Sequence, residues 1–388
     1  MNILFVYSRD IDVDDSGGAR TLILLMKYLT TKPDVKAYAL FNISGDTVPG
    51  LKIIPREGEF KEQLRETIKE YAIDIVMAPE ALLLGKTVYE ASNGLNCHIV
   101  NALHSKPGYE KQNLYMILLE SMFFNTSWLK RLRAMLCLAA YPVFYTLYVR
   151  KIKNKFKEAY ENTDYLVLLS KRFFPEFVEE YHIGDGGKKL RAVGNGLSFV
   201  GYATDLDLKN KKKQIVVVSR FEERAKRLSR VFKIWRDIQD QLPDWELVIV
   251  GFGRSEPYYR YLLKKYHLKN VRMTGKQSPK SYYMDASIFL MTSDYEGWGM
   301  TITEAQQCGC VPVVLNTFSS VFDLIDNGES GFVVDNVKEM EQRILELTSS
   351  PSLRNELAVK AIEASKRFEP EKVYEGYYEI FKEITEKN

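Results

Sequence analysis

Two glutamates, Glu296 and Glu304, bracket a glycine pair in the run Ser293-Asp294-Tyr295-Glu296-Gly297-Trp298-Gly299-Met300-Thr301-Ile302-Thr303-Glu304-Ala305. The run follows Ile288–Met291, an apolar stretch that reads as a buried strand. Gly297 and Gly299 break the strand and let a ligand approach the backbone closely. A helix is expected from about Met300, and its unsatisfied N–H groups and positive dipole end make an anion site. Glu296 then lies in the loop and Glu304 one turn inside the helix. A diphosphate takes N–H donors, and the hydroxyls on either side of it take acceptors. A sugar nucleotide presents those groups in that order: ribose, diphosphate, hexose. Taken singly, each glutamate reads better as an ordinary surface residue; the whole block in its strand–loop–helix setting does not.

A second cluster, Ser219-Arg220-Phe221-Glu222-Glu223-Arg224-Ala225-Lys226-Arg227, follows the strand candidate Gln214–Val218. Cations at a strand end suit a reaction whose leaving group is a diphosphate. Charge accumulates on the phosphates as the bond to the anomeric carbon breaks, so fixed cations stabilise the transition state more than the ground state. Arg220 and Lys226 are the candidates, and Arg224 and Arg227 are expected on the solvated surface.

The Glu296–Glu304 block resembles the EGFG-type motif of retaining GT-B glycosyltransferases of family four, with Trp298 in place of the usual Phe. The resemblance extends through Gly309-Cys310-Val311-Pro312-Val313-Val314 and Ile325-Asp326-Asn327-Gly328-Glu329-Ser330-Gly331-Phe332. It covers most of the second half of the chain and is weaker in the first. It implies that Glu304 accepts from the ribose hydroxyls and that Glu296 contacts hydroxyls of the transferred sugar. It implies too that the N–H groups of Gly299, Met300 and Thr301 hold the distal phosphate. Arg220 and Lys226 look like the family's Arg…Lys pair, with one residue more between them than in many relatives. Gly251, in Gly251-Phe252-Gly253, matches a loop facing the nucleotide; Gly275-Lys276 matches the segment beside the base. Gly17-Gly18, ahead of Ala19-Arg20, is similar to the first-domain loop facing the diphosphate. His104, just past Cys97–Ala102, resembles the histidine placed beside the reacting sugar. It can donate to the donor sugar, orient the acceptor, or be a satisfied structural residue. His98, His182 and His267 read as structural.

Other readings weigh less. Gly251-Phe252-Gly253 lacks the third glycine of a dinucleotide fingerprint, with Glu256 in its place, which counts against a nicotinamide enzyme. Asp12-Val13-Asp14 and Asp205-Leu206-Asp207 have the look of metal-binding Asp-x-Asp pairs but read as solvated turns, so no metal and no bound cofactor are expected. A phosphorylase needs a pyridoxal-phosphate lysine in context, and an epimerase needs cleft acid/base pairs; neither stands out. A non-catalytic nucleotide-sugar-binding protein stays as the alternative. Uridine as the donor base is a prior from the resemblance, as is retention.

These residues need elements to position them. Short apolar runs alternate with amphipathic stretches: Ile3–Tyr7, Val35–Leu40, Ile73–Ala78, Cys97–Ala102 and Tyr165–Leu169 in the first half. In the second half come Gln214–Val218, Glu246–Val250, Val271–Thr274, Ile288–Met291, Val311–Leu315 and Phe332–Val334. Helices are expected over Ala19–Thr30 and Phe60–Tyr71. Such alternation means parallel sheets covered on both faces. At 388 residues the chain exceeds the roughly 250–300 that one core serves. The expected fold class is α/β, GT-B: two Rossmann-like, doubly wound domains facing across a cleft that holds the ligand. The boundaries fall at 1–195 for the acceptor-binding domain, 196–366 for the nucleotide-sugar domain, and 367–388 for a last helix that can pack back on the first.

Apolar residues at 46% and charged ones at 27% fit an ordinary globular protein. A net charge of +3 is too small to argue for nucleic acid. Cys97, Cys137, Cys308 and Cys310 form neither a disulfide framework nor a zinc motif. No signal peptide is read at the start, so a cytoplasmic location is expected. The stretch Leu114–Lys157 stands apart: no acidic residue lies between Glu120 and Glu158, and basic residues flank the apolar run Ala134–Val149. It reads either as a buried helical pair or as a segment lying on the inner face of a membrane, where the acceptor is a lipid-linked glycan.

Overall fold

The computed structural model describes residues 1–13, 17–108, 114–124 and 127–386. The chain divides into two compact units, Met1–Val193 with Tyr374–Asn388, and Gly194–Val373.

In the first unit the strands are β1 (Asn2–Phe5), β2 (Ile11–Asp12), β3 (Lys36–Ala39), β4 (Ile43–Ser44), β5 (Leu51–Ile53), β6 (Ile75–Ala78), β7 (His98–Leu103), β8 (Tyr165–Leu168) and β9 (Leu190–Ala192). Seven of them form one sheet in the order β5-β3-β1-β6-β7-β8-β9, and β2 pairs with β4. Among the described residues the strands all pair in parallel, with one isolated antiparallel bridge between Glu80 and Leu103; Ile3, for example, faces Ala37 on one side and Ile75 on the other. Helices cover both faces, so the central strands bury successive residues instead of alternating: all four of β6 are buried. The five expected strands are present. The edge strand Leu51-Lys52-Ile53 was not foreseen, because two of its three residues are exposed and no apolar pattern marks it.

The second unit repeats the plan. Its strands β10 (Lys212–Val218), β11 (Glu246–Val250), β12 (Val271–Gly275), β13 (Ala286–Met291), β14 (Val311–Leu315) and β15 (Phe332–Val334) lie in the order β12-β11-β10-β13-β14-β15. The helix Leu228–Ile238 drives Val231, Phe232, Trp235 and Ile238 into the core beside Ile215, Leu247 and Ile288. The strand order reverses between β10 and β13, which pair directly. Ligands of doubly wound sheets bind outside the carboxyl ends of the strands at such a reversal. Arg220 follows β10, and the Glu296 loop follows β13.

The last helix, Pro370–Thr385, buries Tyr374, Tyr377, Ile380, Phe381 and Ile384. From Tyr374 onward it belongs to the first unit, where Glu375 pairs with Lys32 at 2.7 Å and Glu383 with Arg191 at 3.1 Å.

Candidate active site

β13 ends at Met291, and the chain crosses a loop to the helix Met300–Gln307. Gly299 caps that helix at φ 98°, a left-handed conformation that disfavours any side chain, and it supplies no capping side chain. The helix dipole makes this end electropositive, and the Ile302 N–H there already donates to the Gly299 carbonyl at 2.8 Å. Met300 and Thr301 are partly exposed, whereas Ile302 through Gln307 are buried. Trp298, the residue departing from the motif, packs inward. Its ring meets Phe368 edge-on at 5.6 Å, and a Cβ on Gly194 would come within 2.5 Å of it.

Glu296 is paired with Lys226. The Lys226 ammonium donates to Glu296 Oε1 at 2.6 Å, and the two side chains are only 18% and 13% exposed. Little water screens the pair, so its attraction exceeds that of a surface ion pair. Neighbouring bonds hold the two loops together. Asp294 N–H donates to the Ala225 carbonyl at 2.8 Å, and Thr292 Oγ1 donates to the Arg227 carbonyl at 3.1 Å. Asp294 accepts from Arg230 and lies 2.9 Å from Arg227 Nε. Arg227, expected on the solvated surface and 40% exposed, also links the loops through Asp294; it takes a left-handed φ of 52° where two helices meet. On the other side Thr317 donates to the Ser293 carbonyl at 2.6 Å and Ser320 to that of Gly297 at 3.1 Å. The Glu296 loop is thus fixed from both flanks before any ligand arrives.

Glu304 is 4% exposed, and one carboxylate oxygen accepts from the Tyr283 hydroxyl at 3.3 Å. That contact orients the carboxylate, and burial first, then Glu304, holds the Tyr283 phenol well above its ordinary range. Arg220 is exposed at the end of β10. The Gly251 N–H is used inside the sheet, donating to the Gly275 carbonyl at 3.0 Å. Gly251 therefore offers room, not a donor: a Cβ there would lie 1.8 Å from the Ser219 carbonyl oxygen. Gly275 has φ 74° and open space around it, and Lys276 extends over the Phe252 ring at 5.4 Å. Asp205 and Asp207 open a short helix in which Asp207 forms a capping box with Thr204. Asp12 accepts from Ser44 at 2.8 Å. Asp14, Asp15 and Ser16 lie outside the described residues. Among the described residues no three His, Cys, Asp or Glu side chains converge as metal ligands would. Cys308 and Cys310 are buried, and burial pushes the Cys308 thiol up to about 12.

In the first unit, Gly17 and Gly18 open the helix Gly17–Leu29. His104 follows β7 directly. Burial of its ring pushes the imidazole down to about 4, so it is neutral at pH 7. Its Nδ1 is buried with no hydrogen-bond partner among the described residues. His182 and His267 occupy left-handed positions at φ 54° and 50°, which accounts for both as helix-end residues.

Residues 203–367 match the family model for glycosyl transferases group 1. The matched stretch lies wholly within the second unit and contains Arg220, Lys226, Glu296 and Glu304. An uncharacterised glycosyltransferase of Haemophilus influenzae is 29% identical over 151 residues, 38% of this chain and 43% of its own. The amylovoran biosynthesis glycosyltransferase AmsD of Erwinia amylovora is 27% identical over 174 residues, 44% of this chain and 48% of its own. The chain thus matches less than half the length of each. HepE of Anabaena, solved with UDP and glucose, superposes with a TM-score of 0.71 over 99% of this chain and 100% of its own, at 16% identity. The fold is GT-B, with two Rossmann-like units.

Proposed function

We propose that the protein transfers a hexosyl unit from a nucleotide-diphosphate sugar, with UDP favoured, to an acceptor hydroxyl in envelope polysaccharide or glycolipid synthesis. The observation that carries this reading is the Lys226–Glu296 pair, held at the strand-order reversal beside the helix that contains Glu304. The group 1 match over the same residues and the likeness to AmsD support it.

In the proposed reaction the anomeric carbon–oxygen bond to the diphosphate breaks and a bond to the acceptor oxygen forms on the same face, with retention. The acceptor proton passes to the departing phosphate oxygen, and nucleoside diphosphate leaves. Arg220 and Lys226 stabilise the charge gathering on the phosphates, so no metal is required. The start of the helix Met300–Gln307 holds the distal phosphate. Glu304 accepts from the ribose, while Glu296 orients the sugar and does not attack it. Within the first unit, Gly17 and Gly18 are proposed to face phosphate and neutral His104 to donate or accept one hydrogen bond to a sugar.

A panel of nucleotide sugars tests this. The true donor at 100 times its Kd raises stability by about 2.7 kcal/mol, and is then turned over to nucleoside diphosphate. Glu296→Ala is expected to abolish turnover; full activity in that variant refutes the assignment. A donor that binds and is never turned over with any acceptor favours the non-catalytic alternative.

A further inference from the structure

Among the described residues the connection from β7 to β8 carries three helices, Leu114–Phe124, Trp128–Ala139 and Tyr141–Glu161, whereas that from β6 to β7 carries one. The middle helix buries only Ala134. Its large apolar side chains face water: Trp128 is 69%, Leu129 59% and Leu136 63% exposed. At 100° per residue, Trp128, Leu129, Leu132, Met135 and Leu136 fall within about 120° of arc. Lys130 and Arg133 lie off that stripe. Arg131 donates to the Met122 and Phe123 carbonyls and ties down the preceding helix.

The next helix continues the pattern along its axis. Val143 and Leu147, 64% and 62% exposed, lie on one face with the exposed Arg150 and Asn154. The stripe turns from apolar to basic, and Arg150 and Lys153 line an open groove with Tyr181 and His182. From residue 121 to 157 there are eight lysines and arginines and no acid. The two helices meet at 104°, and among the described residues no single helix is long and apolar enough to cross a membrane.

We propose that this bent pair docks on the surface of an anionic bilayer. The apolar stripe of Trp128–Ala139 and the start of Tyr141–Glu161 enter the headgroup region, and Lys130, Arg133, Arg150 and Lys151 meet lipid phosphates. Charge selects this occupant. Two of the eight are paired within the chain, Lys153 with Glu180 at 3.3 Å and Lys157 with Glu161 at 3.7 Å; a second copy would still set the other cations against one another, whereas an anionic surface neutralises them. A helix with an apolar stripe and cations beside it lies in the interface and does not span. The docking stands on these helices alone. Its consequence, that the acceptor hydroxyl belongs to a lipid-borne molecule, rests on the transferase reading.

Co-sedimentation of the full chain with vesicles tests it, using phosphatidylcholine alone and phosphatidylcholine with about a third phosphatidylglycerol. The expected result is at least tenfold stronger binding to the anionic vesicles at low salt. The double variant Leu132→Glu/Leu136→Glu is expected to lose at least tenfold of that binding with an unchanged thermal midpoint, since both side chains are exposed. Lys130→Gln/Arg133→Gln/Lys151→Gln is expected to lose the preference for anionic lipid. The proposal is overturned if the unmodified chain binds neither vesicle, if the double variant binds as well as it does, or if that variant only dissolves a dimer in sedimentation velocity. Donor turnover without vesicles reads the transferase assignment separately, so either idea can fail alone.

Discussion

Lys226 and Glu296 stand 70 positions apart in sequence and 2.6 Å apart in space. Without donor, the cation proposed to hold the leaving diphosphate already has an anionic partner. On that proposal donor phosphates and Glu296 would share one ammonium, and the pairing would aim the carboxylate before the sugar arrives. Glu296→Gln keeps the shape and removes the charge. It is expected to lower kcat/KM at least a hundredfold, about 2.7 kcal/mol of transition-state stabilisation. In a double-mutant cycle of unfolding with Lys226→Gln, the pair should show a coupling of about 1–2 kcal/mol without donor, because neither side chain is well exposed. Additive single effects would mean the pair is no unit. His104 gives a pH test. Its folded value of about 4 lies below the ordinary 6.5, so as pH falls the unfolded chain takes up the proton first. Stability should drop between pH 6.5 and 4, by about 1–3 kcal/mol, and hold steady above that window. His104→Gln should flatten the profile of urea midpoints there; an unchanged slope rules out the buried neutral ring. At this scale the sequence disclosed residue types and their local spacing, which is why Glu296, Glu304 and the glycines between them could be named. It did not disclose the partner of Glu296, nor the Arg227–Asp294 link, because contacts across such separations exist only once the sheet has brought two strand ends together.

Strands were legible where burial on both faces makes a continuous apolar run, as in Ile75–Ala78 and Ala286–Met291. They were not where a strand lies at an edge or pairs for two residues, as in Leu51–Ile53 and Ile11–Asp12, since such segments bury too little to need a pattern. The glycine at the end of β11 belongs to this scale as well. Gly251 has φ 150°, and an added Cβ would collide with the Ser219 carbonyl oxygen next to Arg220. Gly275, at the end of β12, is strained for other residues only by φ 74°, with nothing within 4 Å. Gly275→Ala is therefore expected to cost about 1–2 kcal/mol. Gly251→Ala must also displace backbone, and should cost clearly more, about 3 kcal/mol or above. It should also depress turnover by moving the loop that carries Arg220. Chemical denaturation of both variants is the comparison. Equal losses would show that the β10 loop yields freely and that close packing at this strand end does not hold Arg220.

The whole molecule closes its first unit with the end of the chain. Five apolar or aromatic side chains of Pro370–Thr385 are buried, each worth about 1.5–3 kcal/mol of burial. Together they amount to about 7–15 kcal/mol, as much as the total stability of a typical domain. The ion pairs along the same helix are minor by comparison. Lys32–Glu375 has side chains 23% and 40% exposed, and such pairs contribute about 0–1 kcal/mol. Glu375→Gln should therefore leave the protein nearly as stable as before, while removal of residues 374–388 should unfold the first unit. The second unit has its own core, to which none of the five side chains contributes. Amide hydrogen exchange separates the two outcomes strand by strand. In the truncated chain, β1 and β6 should lose protection while β10 and β13 keep it. Retained protection in β1 would mean that the first sheet holds its core without the returning helix, and that burial is the wrong measure of what this helix contributes.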